Sequence, residues 1–475
     1  MRAVINIDSA ASTPIRRQIY NAWRRGILAG RFARGERVPS TRELADALSV
    51  SRSTVTQAYE QLVAEGYLQS NHGSGTFVCK ELPDSQLRAK NLSKARGSKT
   101  PAVTLSRYGA GLQEDYSVPL RRAGFINFAS WGPDREVFPF SFWRRVLLRH
   151  MRTASADMFQ YAERAAGYRP LREEIAKYLR RSRAVHCEAE QIVVVNGSQQ
   201  GLDLTARLLL DPGDEMVIEN PCYLGASRVF KASGAQLRAV AVDAEGITTR
   251  DLGARARLVH VTPSHQFPSG VAMSLNRRLE LLAWARQHNA TIVEDDYDSE
   301  YRYGGPPLPA LQGLVDDVPV VYCGTFSKVM FPGLRIGYLV VPQSLVAPFM
   351  RAKFLADRHT AILDQMALRD FLAEGHLERH IRRMRRLYGA RREALLESLR
   401  RHFGDAAVVV GDAAGMHTMV RIDDKTLGER ALQNKVQLRN AASSYLGRAP
   451  SNEYLFGFSM INERTIREGI KRIAP

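Results

Sequence analysis

Residues 318–335 read VPVVYCGTFSKVMFPGLR: an apolar run at 318–322, then Thr325-Phe-Ser-Lys328, then Pro332-Gly-Leu-Arg335. A β-branched run bounded by turn residues predicts a buried strand. A lysine just past the C-terminal end of such a strand stands where open α/β sheets bind ligands. Its amine can form a Schiff base with an aldehyde. The Thr325 and Ser327 hydroxyls, with the Arg335 guanidinium, can hold a phosphate nearby. Taken alone the lysine decides little, because most lysines are solvated; its neighbours in sequence decide the matter.

Working outward, apolar runs recur at 191–195, 215–219, 257–261, 291–294 and 335–341, with helical segments such as 198–210 and 276–288 between them. This alternation predicts an α/β unit with a mainly parallel sheet covered by helices on both faces. Three strand ends carry chemistry. Glu294-Asp295-Asp296-Tyr297 offers a carboxylate able to keep a pyridine nitrogen protonated and a phenol to bond the ring hydroxyl; the plain alternative is an acidic turn. Asn196-Gly-Ser198-Gln199-Gln200 opens a helix whose N–H groups suit a phosphate. Tyr223 offers a flat ring for stacking, or else ordinary core packing. After about residue 350 the chain turns helical, and 376–403 carries nine arginines. That segment reads either as a solvated helix face or as a second surface for nucleic acid. A smaller mixed region ends the chain.

Residues 1–79 have another character. Ile15, Ile19, Trp23, Ile27 and Leu28 fall at helical spacing between Pro14 and Gly30. Ser40-Thr-Arg-Glu43 is a capping box opening a short helix. Ser51 caps a third helix running to about Glu65 and stopped by Gly66. Strands at 67–70 and 76–79 flank Asn71-His-Gly-Ser-Gly75. Three helices and a two-stranded wing read as a winged helix-turn-helix, whose second motif helix enters the major groove. It begins Ser51-Arg52-Ser53-Thr54: Arg52 can pair with guanine or phosphate, and Ser53 and Thr54 can donate to phosphates. Arg42 is placed for the backbone, and Gly75 lets the wing approach the minor groove.

Composition agrees. The 475 residues carry a net charge of +18 at pI near 9.9, which suits a polyanionic partner. Residues 1–100 hold 16 basic and 8 acidic side chains, making them the most basic part per residue. Apolar residues at 45% exclude a mainly disordered chain. No uncharged apolar run approaches the ~18 residues of a membrane span, and no signal core opens the sequence, so a cytoplasmic protein is expected. Cys79, Cys187, Cys222 and Cys323 lie far apart with no clustered histidines, so no metal site is expected. Residues 80–125, basic at first and poor in large apolar groups, read as a linker between domains 1–79 and 126–475.

Pro14-Ile-Arg-Arg-Gln-Ile, Gly35-Glu-Arg-Val-Pro-Ser-Thr-Arg-Glu-Leu44, Ser51-Arg-Ser-Thr-Val-Thr-Gln-Ala-Tyr59 and Gly73-Ser-Gly-Thr-Phe-Val78 together resemble the winged helix of GntR-type bacterial repressors. The later motifs resemble the fold-type I, class I aminotransferases. The combination is similar to the MocR/GabR subfamily of transcription regulators. That resemblance implies pyridoxal 5'-phosphate, with Lys328 forming the internal aldimine, Asp295 pairing with the pyridine nitrogen, Tyr297 on the ring oxygen and Tyr223 stacked on the ring. Ser198, Gln199, Thr325, Ser327 and Arg335 would surround the phosphate, and Tyr161 would reach the neighbouring subunit's phosphate in a head-to-tail homodimer. Arg42, Arg52, Ser53, Thr54 and Gly75 would contact double-stranded operator DNA. A small amine effector would be sensed as an external aldimine.

Two places depart from the aminotransferase pattern. Phe267 stands where an asparagine usually touches the ring oxygen, and Leu455 where an arginine usually clamps the substrate carboxylate; Arg448 or Arg464 could substitute for the latter. The expected effector is therefore an amine other than a simple α-amino acid, with at most residual transaminase activity. A working aminotransferase fused to a DNA-binding module, and a regulator of vitamin B6 synthesis responding to the cofactor itself, are the competing readings.

Overall fold

The computed structural model describes residues 7–8, 11–71, 73–83, 103–112, 122–160, 165–305, 308–411 and 413–475. The chain forms two compact units, Met1–Thr104 and Leu105–Pro475, each with its own apolar core. The division falls inside the stretch 80–125. Of that stretch, 84–102 and 113–121 lie outside the described residues, as does Tyr161.

In the first unit, α1 (Ile15–Leu28) buries Ile19, Trp23 and Ile27. Trp23 sits between Phe32 and Tyr59, ring centroids 4.4 and 5.9 Å away. α2 (Thr41–Leu48) opens with the expected capping box, Glu43 N donating to Ser40 Oγ (3.2 Å) and Ser40 N to Glu43 Oε2 (2.8 Å). It stops at Ser49, whose φ of 54° is left-handed. α3 (Arg52–Ala64) is capped by Ser51 Oγ, which accepts from Thr54 N at 3.2 Å. Val55, Ala58 and Leu62 turn into the core beside α1. The wing is β1 (Leu68–Asn71) antiparallel to β2 (Gly75–Val78). β1 starts one residue later than the sequence suggests, because Tyr67 N closes α3 by donating to Leu62 O (2.8 Å). Leu82 joins the same core beyond Cys79.

The second unit is built on an eight-stranded sheet of order β4–β11–β10–β9–β8–β5–β6–β7. Its strands are β4 (Ile192–Val195), β5 (Glu215–Asn220), β6 (Gln236–Asp243), β7 (Gly246–Ile247), β8 (Leu258–Val261), β9 (Thr291–Asp296), β10 (Val320–Thr325) and β11 (Gly337–Val340). The run β10–β9–β8–β5–β6 is parallel. β11 runs against both β10 and β4, and β7 against β6. Every residue of β4, β8 and β11 is buried, most of them valine, isoleucine or leucine, as a sheet covered on both faces requires.

Two strands run further than their apolar runs. β9 includes Asp295 and Asp296, and β10 reaches Thr325, because parallel pairing from Val320↔Ile292 to Gly324↔Asp296 carries the ladder through polar residues. Conversely Arg335 precedes β11, in a turn with φ 52°. β6 was not expected; it pairs with β5 over six residues, and its Leu237-Arg-Ala-Val-Ala-Val alternation marks a half-exposed strand.

The C-terminal region adds an antiparallel sheet, β12 (Ala407–Val410), β13 (His417–Ile422), β16 (Glu453–Gly457) and β15 (Arg439–Asn440). β14 (Val436–Gln437) pairs with β3 (Ile126–Asn127). The arginine-rich segment is one helix, His376–Phe403, packed on the Glu463–Ile473 helix. Its arginines divide by face. Arg391 is buried and pairs with Asp134 at 2.9 Å. Arg385 donates to Glu300 O at 2.7 Å. Arg379, Arg382, Arg383 and Arg386 are exposed.

Candidate functional sites

The C-terminal ends of β9 and β10 open into a cavity of about 250 Å³. Nine residues expected at a cofactor site line it: Ser198, Gln199, Tyr223, Asp295, Tyr297, Thr325, Ser327, Lys328 and Arg335. Trp131, Thr262 and Phe267 also line it, with Gly132, Pro133 and Pro332. A wider crevice of about 830 Å³ lies between the Arg169–Arg183 and His376–Phe403 helices, but it is solvent-open and contains none of these side chains.

One end of the cavity suits an anion. The helix Ser198–Leu209 begins after Gly197 with no side-chain cap, leaving N–H groups and the positive dipole end facing the cavity. The Arg335 guanidinium donates to Asn196 O at 2.9 Å. A Cβ on Gly197 (φ 82°) would meet Arg335 Nη2 at 2.6 Å, so only glycine leaves room for that guanidinium. Thr325 Oγ1 accepts from Ser327 N (3.2 Å), while the buried Ser327 Oγ has no partner. Tyr223 OH donates to Gln199 Oε1 (3.2 Å). A Cβ on Gly225 would stand 2.4 Å from the Tyr223 ring, making Gly225 a site residue the sequence reading did not name.

The other end carries one free carboxylate. The acidic run after β9 is sorted by its partners. Glu294 accepts from the Leu311 and Gln312 backbone N–H groups (3.0 and 3.2 Å). Asp296 is held by Arg183 (2.7 Å) and by Tyr322 OH (2.5 Å). Asp295 alone faces the cavity. Its Oδ2 is 3.5 Å from His260 Nε2, and its Oδ1 has no partner. Glu219, at the end of β5, is fully buried and accepts from Thr262 N (3.1 Å) and Oγ1 (2.6 Å). Burial pushes its carboxyl up to about 7 against those bonds.

Between the two ends stands Lys328. Desolvation pushes its amine below the ordinary lysine range, opposed by Asp298 and then Asp295. Tyr297 OH lies 2.8 Å from His265 Nδ1, and burial, with Asp298 next, raises the phenol well above its usual range. Phe267 packs edge-on to Tyr223 and Tyr297, centroids 5.8 and 6.0 Å apart. Trp131 stacks on His417 at 4.5 Å.

Leu455 is buried in β16 against Met419 and Ala441. Arg448 lies in a separate crevice with Asp423 and Asp424, and Arg464 is exposed on the last helix; neither lines the cavity. Arg439 faces Leu455 in the β15–β16 ladder. Its guanidinium sits 5.5 Å from the Trp131 ring centroid, and it forms no ion pair among the described residues. Burial lowers its pKa. Sequence reading missed it because strand pairing alone sets it beside Leu455.

On the first unit, Arg42 and Arg52 are exposed on α2 and at the start of α3, and Arg52 Nε reaches Thr41 Oγ1 at 3.4 Å. The Ser53 and Thr54 hydroxyls gather on Ser51 Oγ at 2.8 and 2.7 Å. Gly75 (φ 108°) has the exposed Arg37 against it, where a Cβ would stand 2.9 Å from Nε. Arg37 therefore joins the cationic residues of the wing.

Residues 15–78 match the family of bacterial regulatory proteins, gntR family, and residues 136–473 match aminotransferase class I and II. The probable rhizopine catabolism regulatory protein MocR of Rhizobium meliloti is 39% identical, covering 98% of this chain and 94% of that protein. The pyridoxine biosynthesis transcriptional regulator PdxR of Corynebacterium glutamicum is 32% identical over 98% and 96%. A kynurenine aminotransferase of Pyrococcus horikoshii, solved with PMP, superposes with a TM-score of 0.69 at 32% identity, covering 74% of this chain and 90% of that one.

The cofactor of this domain is pyridoxal phosphate, and the cavity fits it. An orphaned carboxylate oxygen at Asp295 and an unpartnered Ser327 hydroxyl are polar atoms a bound group would satisfy. The Gly197–Arg335 cradle supplies the cation for a phosphate. With a winged helix ahead of this domain, the chain belongs to the MocR-type transcription regulators of the GntR family.

Proposed function

We propose that this regulator reads an amine-bearing metabolite in the cavity around Lys328 and transmits the reading to operator DNA held by the winged helix. When bound, pyridoxal phosphate supplies an aldehyde carbon that condenses reversibly with primary amines. Lys328 is the amine of this chain that holds it. Asp295 keeps the ring nitrogen protonated, Tyr297 bonds the ring oxygen and Tyr223 covers the ring face. Ser198, Gln199, Thr325, Ser327 and Arg335 hold the phosphate. The observation carrying this reading is the convergence of nine of the expected residues on one cavity, the orphaned Asp295 oxygen among them.

An effector amine would compete with Lys328 for that aldehyde, and Asp298 and then Asp295 are the carboxylates that would favour the charged form of the Lys328 amine. Arg439 supports an effector with an acidic end placed away from the α-carboxylate position, because it lies over Trp131 rather than at residue 455. The apolar Phe267 and Leu455 favour sensing over turnover. The protein acts as a head-to-tail homodimer in the cytoplasm, with residues 1–79 as the DNA-binding domain, 80–125 as a linker and 126–475 as the effector domain. Arg42, Arg52, Ser53, Thr54 and Gly75 make the DNA contacts.

Borohydride trapping of the yellow reconstituted protein, followed by peptide mass mapping, tests the reading. One reduced adduct is expected on Lys328 and none in Lys328→Ala, together with an amine-dependent change in operator gel shifts that the variant loses. Absence of the wild-type adduct would refute it.

A further inference from the structure

His265 and Asp298 have no task in the reading above, yet they stand against the phenol that reading uses. Their side chains are 1% and 0% exposed, and His265 Nδ1 is 2.8 Å from Asp298 Oδ1. The same nitrogen is 2.8 Å from Tyr297 OH. An imidazole nitrogen carries either one proton or one lone pair. If Nδ1 is protonated, the carboxylate and the phenol oxygen compete for that proton. If it is bare, its single lone pair accepts from the phenol and no hydrogen bond links it to the carboxylate. Tyr297 and Asp298 are therefore joined through a single nitrogen, so a change at either oxygen is felt at the other.

The ring is fixed in place: a Cβ on Gly415 would stand 1.9 Å from His265 Cε1. Two atoms of the unit, His265 Nε2 and Asp298 Oδ2, are buried with no partner among the described residues. On one side His417 approaches to a ring distance of 5.3 Å, its Nε2 donating to Pro268 O at 3.2 Å. Burial first, and then His265, holds His417 well below its usual range. The other charged or titratable groups around the unit are Lys328, Asp295, Asp296, Glu219, Arg439, Tyr301 and Tyr303. Asp296 is already paired with Arg183.

We propose that Asp298, clamped by His265 and coupled through it to Tyr297, is the counter-charge that sets the protonation of the nitrogen Lys328 contributes to the cofactor linkage. Asp298 and His265 are positioning residues: they act through Tyr297 and the local field, on the side of the cavity where Phe267 offers no polar contact. An anion beside a cationic nitrogen raises that nitrogen's pKa, so removing the anion lowers it. The inference rests on Lys328 holding the cofactor.

The test is the visible absorption band of full-length reconstituted protein, titrated against pH. In Asp298→Asn the midpoint for losing the protonated band is expected to fall by about 1 pH unit or more, the size of a nearby opposite charge. His265→Asn keeps an amide near the Nδ1 position but cannot exchange a proton, and it is expected to move the midpoint as well. The double variant is expected to move it no further than Asp298→Asn alone, because the residues act as one unit. Unmoved midpoints in the single variants, with the adduct on Lys328 intact, overturn this inference alone. Failure to trap the wild-type adduct overturns the reading beneath it instead. If Asp298→Asn does not fold, His265→Asn decides.

Discussion

If the cavity reads an amine as proposed, Arg439 is the residue on which the choice of effector turns. A guanidinium on an indole face gains a cation–π contact and keeps its in-plane donors free. No carboxylate of the described chain uses those donors, and burial removes competing water, so an incoming acidic group would meet a partly desolvated cation. Charge-assisted hydrogen bonds of this kind contribute about 1.5–3 kcal/mol. Arg439→Met should therefore raise the half-saturating concentration of an acid-bearing amine at least about tenfold. The response to a plain alkylamine should stay unchanged. Spectral titration of the cofactor band with the two amine classes checks this. A uniform loss across both classes would mean that Arg439 supports Trp131 and does not read the ligand.

At the scale of elements, α3 joins two demands at its first turn. Ser51 must cap the helix, and its oxygen already gathers the Thr54 N–H and the Ser53 and Thr54 hydroxyls. Arg52, one residue on, is exposed and only weakly tied to Thr41. The two substitutions should separate. Ser51→Ala should cost about 1 kcal/mol of stability in the winged helix through the lost cap. Arg52→Ala should leave stability near wild type and weaken operator binding by about 1–3 kcal/mol if it reads a base. Denaturant melts and fluorescence-anisotropy titrations at one fixed salt concentration measure both.

This first turn was legible in the sequence because capping is local: Ser40-Thr-Arg-Glu43 and Ser51 carry their own partners within four residues. The placing of Asp295 and Lys328 close to the C-terminal ends of β9 and β10 was legible from the apolar runs, although both strands extend two or three residues beyond those runs. Asp298 and His265 were not, because they meet across a gap of 33 residues and only the fold brings them together. Arg439 escaped for the same cause, and so did the short strands β12 to β16, whose partners are distant in sequence. Within Glu294-Asp295-Asp296 the sequence marks three carboxylates alike; only Arg183, Tyr322 and the Leu311 backbone show which one is left for the cavity.

For the whole molecule, the proposed sensing requires that the two units be coupled through a free energy that acts in both directions. Let the effector amine change operator affinity by some factor. Thermodynamic linkage then requires operator DNA to change amine affinity by the same factor, whatever path joins the units. A factor of ten corresponds to about 1.4 kcal/mol, within the usual range of such couplings. The cofactor band offers a direct measure of amine binding that does not depend on DNA binding. Titrating the amine with and without saturating operator should shift its midpoint by the factor found in gel shifts with and without amine. In Lys328→Ala both shifts should vanish together. Operator affinity that responds to amine while the spectral midpoint ignores DNA would break this equality. Sensing would then lie outside the Lys328 cavity.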